Sequence, residues 1–165
     1  MTRFVHLVRA AAACAVALVL AAPPAAAQGN ESASKPTVAA IAHKTHHLIL
    51  QVNTNDPAMM NLALNNATNV EQYYKTRGEK VDIEVVTFGP GLNMLRDDTS
   101  PVKDRIKAIM ANSSFISFLA CGNTREIMGK AEHKEIPLIS QATLVKDGVV
   151  RVMELQEEGW TYVRP

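Results

Sequence analysis

Short apolar, β-rich runs alternate along this chain with stretches whose apolar residues recur every three or four positions, and that alternation limits the folds open to it. Residues 48–52, 81–88 and 114–120 read as three strands. Between the first two, Asp56 supplies a helix cap, Pro57 suits the first helical position, and Gly78 closes the segment behind Lys75 and Arg77. Met60, Ala63, Leu64, Ala67, Val70 and Tyr74 fall at helical spacing within it and are expected to face the sheet. Ser100 and Pro101 open a second helix with Val102, Ile106, Ile109 and Met110 on its apolar face, and residues 123–134 form a third. Residues 142–145 then read as a strand, Asp147 and Gly148 as a turn, and residues 149–158 as a helix ended by Gly159. Tyr162 and Val163 form a short last strand. Such alternation implies an α/β fold with a mostly parallel sheet and helices on both faces. The order of the strands does not follow from it.

The first residues have another character. Arg3 and Arg9 precede an apolar run over residues 10–22, followed by Pro23, Pro24 and the small residues Ala25, Ala26 and Ala27. Charge, a short apolar run and a small-residue cleavage site together describe a secretory signal peptide over residues 1–27, and the run is too short for a comfortable membrane span. Residues 28–45 are small and polar with no sustained period and read as a flexible linker, so the folded domain is expected over residues 46–165. The expected compartment is the periplasm, with no membrane association after cleavage. Loss of Arg3 and Arg9 from the 17 basic residues, against 16 acidic ones, leaves a nearly neutral chain. Nucleic-acid binding needs a basic excess that is missing here.

Of the two cysteines, Cys14 lies in the leader and departs with it, which leaves Cys121. A lone cysteine in an exported protein has no intramolecular disulfide partner, so it is a reactive thiol, an intermolecular link or a buried small hydrophobe. Its setting favours chemistry. In open parallel sheets ligands gather beyond the carboxyl ends of the strands, and Cys121 ends the third strand. Asn123 with Glu126 three residues later has the spacing of a helix-capping pair, which places the thiol before a helix amino terminus, where backbone N–H groups and the helix dipole stabilise an anion. Gly122 would let a bulky group approach the sulfur, and Arg125 would add positive charge if it turned inward.

Other features carry less. Gly89, Pro90 and Gly91 follow the second strand but lack the Lys and Ser/Thr of a P-loop and the spacing of a dinucleotide fingerprint, so they read as a tight turn shaping one wall. His43, His46 and His47 cluster, yet neighbouring residues of a strand point to opposite faces, and no metal site is expected. Met59, Met60, Met94, Met110, Met128 and Met153 read mainly as core filler, and Asp97 with Asp98 as a solvated acidic loop. No Ser/His/Asp arrangement follows from the spacing, and no cofactor is implied.

Residues 85–92 (Val-Val-Thr-Phe-Gly-Pro-Gly-Leu), residues 118–124 (Phe-Leu-Ala-Cys-Gly-Asn-Thr) and the tail over residues 148–165 together resemble the DsrE family of sulfur-relay and sulfurtransferase-like proteins, from His46 onward. The resemblance implies a three-layer α/β/α fold with a five-stranded sheet, assembly into a homo-oligomer (trimer or hexamer), and a persulfide-carrying cysteine after the third strand, where Cys121 stands. The resemblance and the helix-terminus argument both make Cys121 the expected catalytic residue, and the turns at the same sheet edge place Gly89, Gly91, Gly122, Asn123 and Arg125 around the substrate. The partners would be a thiol or sulfane-sulfur donor and acceptor. Export sets this chain apart from cytoplasmic relatives that feed sulfur to tRNA modification. The contrasting expectation is a non-catalytic oligomeric module that holds a small ligand or a partner at the same sheet edge.

Overall fold

The computed structural model describes residues 44–165. Five strands, β1 (Thr45–Val52), β2 (Lys80–Thr87), β3 (Ile116–Cys121), β4 (Ala142–Val145) and β5 (Thr161–Val163), form one all-parallel sheet in the order β4-β3-β2-β1-β5. The helices are α1 (Pro57–Thr76), α2 (Lys103–Asn112), α3 (Gly122–Glu132) and α4 (Gly148–Glu157), and a 3-10 helix (Gly89–Leu95) follows β2.

The strand order explains the layers. From β1 to β4 each crossover steps the same way, and right-handed connections therefore put α1, α2 and α3 on one face. The chain then returns across the whole sheet to β5, and the same handedness puts α4 on the other face. Side chains follow this division. Leu48, Leu50 and Val52 of β1, Val81, Ile83 and Val85 of β2, and Ile116, Phe118 and Ala120 of β3 pack with Met60, Ala63, Leu64, Leu92, Met94 and Ile106 in the larger core. The alternate residues Ile49, Val86 and Leu119 pack beneath Val152 and Leu155 of α4 in the smaller one. A bidentate pair, Arg151 Nε and Nη2 to the Glu84 carboxylate at 3.0 and 2.6 Å, pins α4 to β2.

Local signals account for most of the element boundaries. Asp56 caps α1 by accepting the Ala58 N–H at 2.8 Å, with Pro57 at the first helical position. Strand ends shift by up to three residues, β1 starting at Thr45 and β3 at Ile116, and two helix starts differ for a local reason. The second helix starts at Lys103, because Ser100 and Pro101 form a turn in which the serine hydroxyl bonds to the Met94 carbonyl and accepts the Val102 N–H. Asp147 and Gly148 are no free turn either. Asp147 accepts the N–H groups of both Val149 and Val150, and Gly148 is already the first residue of α4.

Candidate functional site

Two neighbouring strands at the carboxyl edge send their helices to opposite faces: β3 leads into α3 on one side, β4 into α4 on the other. A parallel sheet opens its crevice where such a switch occurs. Cys121 stands there, paired in register with Val145. As the last residue of β3 it alternates with Leu119 and so lies on the α4 side.

The thiol is itself the cap of α3. Its backbone is extended (φ −68°, ψ 116°), and Sγ accepts the Thr124 N–H at 3.4 Å. The expected cap at Asn123 is therefore displaced by two residues, because the sulfur already reaches the third amide of the helix. Asn123 is instead an exposed residue of the first turn whose N–H donates to the Lys146 carbonyl at 3.1 Å, tying the start of α3 to the approach to α4. Glu126 turns to Lys130, which holds its carboxyl below the usual range. The sulfur thus lies against one backbone N–H, that of Thr124, while the residue is only 3% exposed.

Packing over the thiol comes from residues far along the chain. A Cβ built on Gly148 would stand 3.2 Å from Cys121 Cβ and 3.1 Å from Phe88 Cδ1, so glycine is what lets the amino end of α4 close over the site. Thr124 joins a second loop: its hydroxyl accepts the Gly89 N–H at 3.0 Å while its own N–H serves the sulfur.

The residues expected around the substrate divide. Gly89 (φ 52°) joins the site through Thr124. Gly91 is needed for another reason, since a Cβ there would come within 2.2 Å of the Val52 carbonyl oxygen. It is a contact between the 3-10 helix and the end of β1. Gly122 does not open a route to sulfur; its bare side lies 3.0 Å from the Val145 carbonyl and 3.3 Å from that of Lys146, measured from a built Cβ. Arg125 turns to the segment after α3, where Nε bonds the Ile136 carbonyl and Nη2 bonds Glu135, both at 2.7 Å. Thr124, Phe88 and Gly148 were not among the expected site residues. Only Thr124, three positions after a strand-ending cysteine, carried a local signal.

The histidines separate as their alternation requires. His46 stacks on Tyr74 at 3.8 Å with Nε2 2.6 Å from Glu79, and this bond with that from Arg77 holds the glutamate below its usual range. His47 packs against Trp160. His43 lies outside the described residues. Among the described residues, no three His, Cys, Asp or Glu side chains converge as a metal-binding group. Met60 and Met94 are fully buried, Met110 and Met128 pack against the larger core, and Met153 alone of the five is largely exposed. Asp98 is no merely solvated acid: Arg96 and Lys134 both bind it and hold its carboxyl well below the ordinary range.

Fold and site together define a three-layer α/β protein with an all-parallel five-stranded sheet and a buried thiol at the switch in its carboxyl edge. No family model matches the chain, and no curated protein matches it. Among solved structures, it is similar to MTH1491 from Methanobacterium thermoautotrophicum, a protein of unknown function, with 27% identity and a TM-score of 0.62 over 73% of this chain and 99% of that one. The likeness supports the same α/β architecture.

Proposed function

We propose that this protein is a periplasmic sulfur carrier of the DsrE type, with Cys121 accepting sulfane sulfur as a persulfide and passing it to another thiol. The observation that carries the reading is the contact of Cys121 Sγ with the Thr124 N–H at the amino end of α3. A thiolate attacks the outer sulfur of a donor such as thiosulfate; the S–S bond of the donor breaks, its electron pair leaves with sulfite, and a Cys–S–S⁻ group remains. No external oxidant or reductant is consumed. The new terminal sulfur carries the charge, and amides at a helix start suit such an anion. Delivery repeats the step in reverse, with the acceptor thiolate attacking the outer sulfur and Cys121 leaving.

With Cys121 3% exposed, loading requires the amino end of α4, which lies on it, to move aside. The same burial favours a second reading, a binding module in which Cys121 only packs and caps. One experiment separates them. Protein freed of residues 1–27 is incubated with thiosulfate or polysulfide and weighed intact. The sulfur carrier gains about 32 Da, one sulfur atom, in the wild type and not in Cys121→Ser. No gain in the wild type, or an equal gain in the variant, overturns it in favour of the module.

A further inference from the structure

In the stretch Gly-Val-Val-Arg-Val-Met-Glu-Leu, α4 carries more apolar residues than its sheet-facing side uses, interrupted by Arg151 and Glu154. Only one side is covered. Gly148, Val152 and Leu155 face the sheet, while Val149, Val150 and Met153 on the outer side are about half exposed, at 49, 48 and 55%. Their spacing of one, three and four residues makes them a continuous stripe. Beside it, the sheet face over β3 and β4 is a bare groove of about 710 Å³ walled by Ser117, Thr143 and Val145 and by Val150 and Arg151 of α4.

The two ends of the stripe differ in charge: Lys146 stands beside the capping Asp147 at the amino end, and Glu154, Glu157 and Glu158 gather towards the carboxyl end. Lys146 precedes the helix, Glu157 ends it, both are exposed, and neither has an ion-pair partner among the described residues. We infer that the occupant of this face is a second copy of the chain, docked with the two α4 helices antiparallel about a two-fold axis. A single register sets Val150 of each copy against Met153 of the other and Lys146 of each against Glu157 of the other. Such a contact is isologous: each pairing occurs twice and the surface complements itself. It also sets the positive end of each helix dipole beside the negative end of its neighbour. A parallel pairing would oppose Lys146 to Lys146 and Glu157 to Glu157. The inference rests on this surface and stands apart from the sulfur reading. A two-fold contact is also compatible with a hexamer built from paired trimers.

Sedimentation velocity over a concentration series tests it on the purified protein. The wild type is expected to form an even-numbered assembly whose dissociation constant rises at least about tenfold in Lys146→Glu and in Glu157→Lys, where like charges meet, and returns towards the wild-type value when both are combined. Met153→Glu should give monomers with unchanged circular dichroism. A monomer at every concentration, an odd-numbered assembly, or a double variant as weak as the singles overturns the proposal.

Discussion

A cysteine seldom caps a helix, yet Cys121 does so with the atom that the proposed chemistry also uses. The two roles are separable by substitution. Serine keeps an acceptor near the Thr124 N–H, whereas alanine removes it, and loss of an N-cap acceptor costs roughly 0.5–2 kcal/mol. Urea unfolding should therefore rank Cys121→Ala below Cys121→Ser by about 1 kcal/mol; equal stability of the two would mean that the sulfur contributes no cap. The sequence disclosed the place of this residue and missed its bond. Asn123 and Glu126 have the spacing of a capping pair, and oxygen acceptors are the usual caps, so the local pattern pointed two residues too late. Phe88 and Gly148 were invisible for a different reason. Each touches the site only after the strands have been ordered, and no local pattern encodes that contact.

Among the elements, the regular strands and helices were legible because hydrophobic period and capping residues act over a few positions, as Asp56, Pro57 and Gly159 show. The turn read at Asp147 and Gly148 failed because Asp-Gly is also how a capped helix can begin. That cap also bears on access to the thiol. Asp147 accepts two N–H groups at the start of α4, and the next residue, Gly148, packs on Cys121. Removing the acceptor in Asp147→Ala should fray this end at a cost of about 1 kcal/mol and lift the packing from the thiol. Iodoacetamide labelling of Cys121, followed by intact mass, is expected to be several-fold faster in the variant at equal folded fraction. An unchanged rate would place the route to sulfur elsewhere than under α4.

Across the whole molecule, the strand order β4-β3-β2-β1-β5 was not legible, because parallel pairing joins segments tens of residues apart. One network shows how such distant segments are held. The end of the 3-10 helix runs against the approach to β4, with the Ile139 N–H donating to the Leu95 carbonyl and the Asp97 N–H to that of Pro137, both at 3.0 Å. Behind these bonds the buried Arg96 guanidinium grips Asp98 through Nε and Nη2 and Glu132 through Nη1 and Nη2, while Lys134 adds a contact to Asp98 at 2.9 Å. The bonds from Arg96, then those from Lys134, hold Asp98 well below the ordinary carboxylate range, and Arg96 likewise lowers Glu132. In the unfolded chain both titrate near their usual values of about 4. A carboxylate whose folded pKa is depressed contributes fully above the unfolded value and loses that contribution as pH falls towards the folded one. The melting temperature should thus be flat with respect to this network above about pH 5 and fall on acidification below about pH 4. Asp98→Asn should lower the melting temperature at neutral pH, since Arg96 loses a charged partner, and should flatten the acid limb. A variant as steep in acid as the wild type would mean that other carboxylates govern acid unfolding and that this clamp does not set the lower pH limit of the fold.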